Sequence, residues 1–264
     1  MTKTLLSIAT FLLFIGVVGG IVTYQSADPV PIAVTKEIEP TDFQTINVQT
    51  SMEKVEILST NDHVPRVELT GKESNNDRTE LSVEVDNDTL TVRTDQGARK
   101  WLRFDLFSYS RTLSIYLPDQ TYGQLVVDVS NGRITAKGLK MKGIELTAKN
   151  GRIEVDNTVA DHYQLRTYNG RMNILNVEGD ITAKSDNGRI SITTKDLERN
   201  MNVKANNGRI TIETEQLPTN VEIDAKTNNG SVDLFGQSSD KRIYGNGDNL
   251  VELYTENGSI TVSE

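Results

Sequence analysis

Apolar and polar residues alternate along most of this chain, and the alternation is interrupted at a regular interval. Asn-Gly pairs begin at Asn131, Asn150, Asn169, Asn187, Asn207, Asn229 and Asn257, spaced 19, 19, 18, 20, 22 and 28 residues apart. Counted from each Asn, apolar or small residues fall six, four and two places before it, then three and five places after it. The first cycle supplies Leu125, Val127, Val129, Ile134 and Ala136, and a later one Met201, Val203, Ala205, Ile210 and Ile212. Intervening positions are mostly polar. The pattern predicts two short strands per cycle, each turning one face to a shared interior and the other to water.

The same phase picks out two cycles without Asn-Gly: Ile46, Val48, Thr50, Val55 and Ile57 around Met52-Glu53, and Leu81, Val83, Val85, Leu90 and Val92 around Asn87-Asp88. Residues nearest the turns are small (Ala148, Thr167, Ser185, Ala205, Thr227), as a narrow closing interior requires. Asn and Gly both tolerate positive φ, so each pair is expected to reverse the chain within two residues. Two arrangements satisfy this: a meander of antiparallel hairpins, or a parallel solenoid in which equivalent positions stack about 4.8 Å apart on successive coils. The near-constant period and repeated turn chemistry favour the solenoid, because stacked coils reward like residues at like positions. The expected fold is all-β: a right-handed parallel β-solenoid of two-strand coils with repeats of about 19 residues, preceded by one N-terminal transmembrane helix.

That helix is expected over residues 5–22, which carry no charge and span roughly 27 Å as an α-helix. Lys3 precedes the run and Asp28 is the first charge after it, so the positive-inside bias places the N-terminus in the cytoplasm and the rest outside. A cleaved signal peptide is the alternative, but Gln25 stands where a small residue is wanted, ahead of Ala27, which favours a retained signal anchor. The expected organisation is residues 1–27 as cytoplasmic N-terminus and anchor, 28–41 as an extended linker bearing Pro29, Pro31 and Pro40, and 42–264 as the extracytoplasmic solenoid. Within the last, 42–120 form irregular first coils and 121–264 regular repeats. The protein is thus placed in the cell membrane as a single-pass chain.

Composition narrows the chemistry. Thirty-seven acidic against 28 basic side chains give a net charge of −9, which argues against general nucleic-acid binding. Cysteine is absent, excluding disulfides and thiolate chemistry, and the only histidines are His63 and His162. No cofactor, metal site or catalytic residue is expected.

The turns Asn131-Gly132-Arg133-Ile134, Asn187-Gly188-Arg189-Ile190 and Asn257-Gly258-Ser259-Ile260, downstream of a short apolar segment, resemble those of a bacterial putative-adhesin family of unknown function that includes LiaG-like membrane-anchored proteins. The resemblance covers roughly residues 42–264. It implies a surface-facing β-solenoid, often in an envelope-stress setting, and carries over no active site.

Two groups of residues are candidate binding sites. Five turns place arginine just after the glycine: Arg133, Arg152, Arg171, Arg189 and Arg209. Stacked coils would bring them into a ladder with neighbour repulsion near 1 kcal/mol in water. Either the ladder binds an anionic envelope polymer or phospholipid headgroups, or nearby acids such as Asp128, Glu145, Glu154 and Asp186 neutralise it. The second group is Arg99, Lys100, Trp101 and Arg103 in a basic and aromatic stretch running to Phe107. It suits a bilayer interface or polyanion, or else a cap over an exposed sheet edge. Tyr168 and Tyr254 point outward, where a sugar could stack. The function expected is a non-catalytic binding, adhesin-like or structural module of the envelope. The alternatives are a glycan-modifying β-helix enzyme and a membrane-bound regulator with a membrane-protein partner.

Overall fold

The computed structural model describes residues 9, 11–16, 29–39, 42–50, 54–74, 79–96 and 110–264. Of the apolar run expected to cross the membrane, residues 9 and 11–16 are described and helical, and the remainder lies outside the described residues. No helix among the described residues is long and apolar enough to cross a membrane.

Among the described residues seventeen strands form one continuous sheet. In chain order they are β1 (Pro29–Glu37), β2 (Thr45–Thr50), β3 (Lys54–Thr60), β4 (Arg66–Ser74), β5 (Thr79–Asp86), β6 (Thr89–Gln96), β7 (Arg111–Pro118), β8 (Thr121–Lys137) and β9 (Lys140–Asp156). There follow β10 (Val159–Leu175), β11 (Glu178–Thr194), β12 (Met201–Thr214), β13 (Val221–Asn229), β14 (Val232–Leu234), β15 (Lys241–Tyr244), β16 (Asn249–Asn257) and β17 (Ile260–Ser263). From β8 to β12 each strand is one coil and pairs in parallel with the next, so that Asn131, Asn150, Asn169, Asn187 and Asn207 share one register position. This is the parallel solenoid, not the meander.

Alternation does the packing. The positions six, four and two before the Asn and three and five after it form columns through the stack, among them Leu125, Ile144, Tyr163, Ile181 and Met201, and Ile134, Ile153, Met172, Ile190 and Ile210, all buried. Burying each such side chain contributes about 1.5–3 kcal/mol. The column nearest the corner holds Val129, Ala148, Thr167, Ser185 and Ala205, small because two walls converge there.

The reason for Asn-Gly differs from the one the sequence suggested. β8 to β12 continue as strands through their Asn-Gly pairs, whereas β13 and β16 end on the Asn, and among the described residues no corner Asn is one of the non-glycine residues with positive φ, which are Asn87, Asn157, Asn176 and Phe235. What demands glycine is the coil beneath. A Cβ on Gly151, Gly170, Gly188 or Gly208 would sit 1.6–1.8 Å from the carbonyl oxygen of the glycine one coil earlier. A true turn of this sequence occurs off the repeat at Asn246-Gly247, between β15 and β16, where Gly247 has φ +72.

The cycle expected around Asn87-Asp88 is corrected. There β5 and β6 form an antiparallel hairpin with Asp86 opposite Thr89 and Asn87 at φ 54. Only β6 joins a coil, in parallel with β2, burying Leu90 and Val92. Leu81, Val83 and Val85 are partly buried, since β5 lies beyond the shared interior. Of the stretch 28–41, expected as an extended linker, β1 is extended and hydrogen-bonded antiparallel along β4, with Ile32 and Val34 packed against the core.

Coil order departs from chain order at both ends. The β2–β3 coil lies between β6–β7 and β8, and the β16–β17 coil lies between β12 and β13–β14. Each terminal coil is therefore held from two sides. Antiparallel strands cover the outer coils: β5 on β6, β4 on β7 with β1 beyond it, and β15 on β13.

Candidate functional site

The corner of the coils carries three adjacent columns with distinct roles. At the Asn position the side-chain amides form a ladder. The Nδ2 amides donate to the Oδ1 of the Asn one coil below, through Asn150 to Asn131, Asn169 to Asn150, Asn187 to Asn169, Asn207 to Asn187, Asn257 to Asn207 and Asn229 to Asn257, at 2.8–3.0 Å. The order follows the stack and not the chain. At the next position glycine leaves no side chain, and at the one after stands the arginine column. Between the amide ridge and the arginines the glycines thus floor a groove of about 620 Å³ along the stack, lined from Asn169 to Ser259 across four coils.

Arg133, Arg152, Arg171, Arg189 and Arg209 occupy one register position, and Lys54 extends the column by one coil below Arg133. The acids proposed as neutralisers reach only one end. Glu154 pairs with Arg152 at 3.2 Å and more distantly with Arg133 at 3.9 Å. Asp186 faces Arg166 at 3.9 Å instead. Asp128 and Glu145 form no ion pair among the described residues. Arg209 donates Nε–H to the Ser259 hydroxyl at 3.1 Å, while exposed Arg171 and Arg189 have no acid partner among the described residues. The physical cause is the column two places on, where Glu154 is followed by Asn173, Ser191, Thr211 and Thr261. Over the upper coils the arginines stand beside neutral side chains, with charge left to offer a ligand.

Sequence reasoning missed a second cationic column, three places before the Asn. Arg166, Lys184 and Lys204 stack there in register, followed by Tyr254 and Lys226. The signal was present in the same repeat, at one position of three consecutive cycles, and only the place of Tyr254 between Lys204 and Lys226 was hidden by the chain order of the last two coils. Arg166 lies over the Tyr168 ring at 4.6 Å, so this tyrosine is occupied by its neighbour. Tyr254 instead donates its hydroxyl to Glu256 at 2.5 Å, which raises the phenol pKa and holds the Glu256 carboxyl below its usual range. The group Arg99, Lys100, Trp101 and Arg103 lies outside the described residues. Among the described residues no cluster of three His, Asp or Glu side chains has the arrangement to hold a metal ion.

Among solved structures, the chain is similar to a putative cell adhesion protein of Clostridium sporogenes at 15% identity and TM-score 0.49, over 89% of this chain and 99% of that one. A putative adhesin of Bacteroides fragilis aligns at 13% identity and TM-score 0.48, over 88% and 97%. A putative lipid binding protein of Parabacteroides distasonis aligns at 14% and 0.38, over 88% and 97%. No curated protein matches the sequence. The model of the Toastrack DUF4097 family matches residues 43–263, and the chain belongs to that family.

Proposed function

We propose that this protein is a non-catalytic binding module of the bacterial cell envelope, held at the membrane by residues 5–22, that presents the glycine-floored groove to an anionic envelope polymer or to phospholipid headgroups. The observation that carries the reading is the run Arg171, Arg189, Arg209, in register on adjacent coils, exposed and without acid partners among the described residues. Guanidinium groups donate paired N–H bonds that match phosphate oxygens. Their rung spacing of about 4.8 Å lets one linear anion touch several at once, while the amide ridge beside them supplies further neutral donors. A free arginine column within a chain of net charge −9 supports selection of a ligand over solvation as its role.

The test is retention of the full-length chain on immobilised poly(glycerol phosphate) and on phosphatidylglycerol vesicles. Replacing Arg171, Arg189 and Arg209 together by Ser should weaken retention about tenfold or more at low salt and flatten its salt dependence, with the β circular-dichroism spectrum unchanged. Equal retention of the folded variant on both probes rejects the groove.

A further inference from the structure

We propose that a second site, independent of the arginine groove, binds a neutral pyranose ring of a glycan chain on the platform of Tyr254. It lies on the other side of the amide ridge, where the last three coils of the stack form a shallow basin of about 380 Å³ lined by Lys204, Asp224, Lys226, Glu252, Leu253 and Tyr254. That volume is at the small end of ligand sites, roughly 300–1,000 Å³.

The ring is fixed before any ligand arrives. Its hydroxyl donates to Glu256 at 2.5 Å and accepts from the Asn228 amide at 3.2 Å, both two places nearer the corner, which draws the side chain along the sheet surface. Tyr254 is only half-buried and lines the basin, so part of its ring is open to it, and the apolar C–H face of a pyranose stacks on an aromatic surface with little loss of side-chain entropy. The coil insertion creates this arrangement. Because the β16 coil lies between β12 and β13, Tyr254 falls in register between Lys204 and Lys226, and the aromatic face is flanked on both sides.

The polar groups around the ring fit hydroxyls. In the adjacent column Asn202, Glu252 and Asp224 run in parallel. Lys226 is tied to Asp224 at 2.9 Å, and Glu252 accepts from the Asn202 amide at 2.9 Å through one oxygen. Lys204 makes no ion pair and the second Glu252 oxygen no hydrogen bond among the described residues, leaving a donor and an acceptor beside the ring. Two lysines and two carboxylates cancel in charge. The basin therefore has no preference for a polyanion, which separates it from the arginine groove.

Saturation-transfer NMR on the full-length chain with two neutral probes, chitotetraose and maltotetraose at millimolar concentration, decides the matter. Transfer to pyranose C–H protons of at least one probe is expected, insensitive to salt and unchanged by the Arg171, Arg189 and Arg209 substitutions. Tyr254→Ala should weaken binding about tenfold or more, a loss of about 1.4 kcal/mol, while Tyr254→Phe, which keeps the ring but loses the hydroxyl that fixes it, should weaken it less. Absence of transfer from both probes overturns the proposal, as does binding that survives Tyr254→Ala. Loss in the Phe variant equal to that in the Ala variant also overturns it, because the platform would then not be the ring face.

Discussion

Each Asn-Gly corner divides its work between the two residues. Glycine is there for space, so Gly170→Ala, whose Cβ would meet the Gly151 oxygen at 1.7 Å, should destabilise the fold by more than about 3 kcal/mol in urea titration. Gly236→Ala has open space and φ +75, and should cost only about 1–2 kcal/mol, from the left-handed backbone alone. Asparagine is there for its amide: Asn187 both donates to Asn169 and accepts from Asn207. Asn187→Ala at this exposed site should cost about 1–2 kcal/mol for two lost bonds. A third residue reports on the core by titration. Tyr163, buried at the start of β10 with its hydroxyl on the Thr158 carbonyl, has its pKa pushed up to about 12 by burial. The unfolded phenol ionises near 10. The neutral form is therefore favoured in the native state, so the stabilisation is complete below pH 10 and is lost as pH rises through 12. Denaturation by urea at stepped alkaline pH should show stability falling across that window, and Tyr163→Phe should flatten the fall.

At the scale of elements, the coil order is the feature that chain order conceals. Thr211, Thr261 and Asp233 lie at equivalent positions of β12, β17 and β14, with Thr261 in the middle. The chain has no cysteine, so paired substitutions give a clean readout. Mild oxidation should cross-link Thr211→Cys with Thr261→Cys, and Thr261→Cys with Asp233→Cys, but not Thr211→Cys with Asp233→Cys, because only neighbours approach within disulfide range. Non-reducing electrophoresis after proteolysis reads the result. The parallel coils were legible from identical phase at identical spacing. The β5–β6 hairpin was not, because antiparallel and coil strands share the same two-residue period, and only pairing tells them apart.

For the whole molecule, the arginine column concentrates like charge on one ridge of an acidic protein. Exposed charges one rung apart repel, and about 1 M salt screens them almost fully. The variant lacking the Arg171, Arg189 and Arg209 charges should therefore melt above the wild type at low salt, with the gap closing as salt is added. A scan of melting temperature against ionic strength checks this, and a constant gap would point to packing instead of repulsion. Both ends of the stack are sheet edges, and the protein manages them with antiparallel strands, which cannot extend the parallel register and so oppose end-to-end growth.

The sequence by itself determined the period, the inward and outward faces, and the alignment of the arginines, because these follow from alternation and from the advantage of stacking like on like. Tertiary structure alone decided which coil lies against which, and two consequences follow from that. The amide ladder runs from Asn207 through Asn257 to Asn229, and Tyr254 stands between two lysines. Local pattern cannot encode such choices, since every coil presents nearly the same edge to every other. The selection is made by long-range packing and by strands such as β1, β5 and β15 that close the ends.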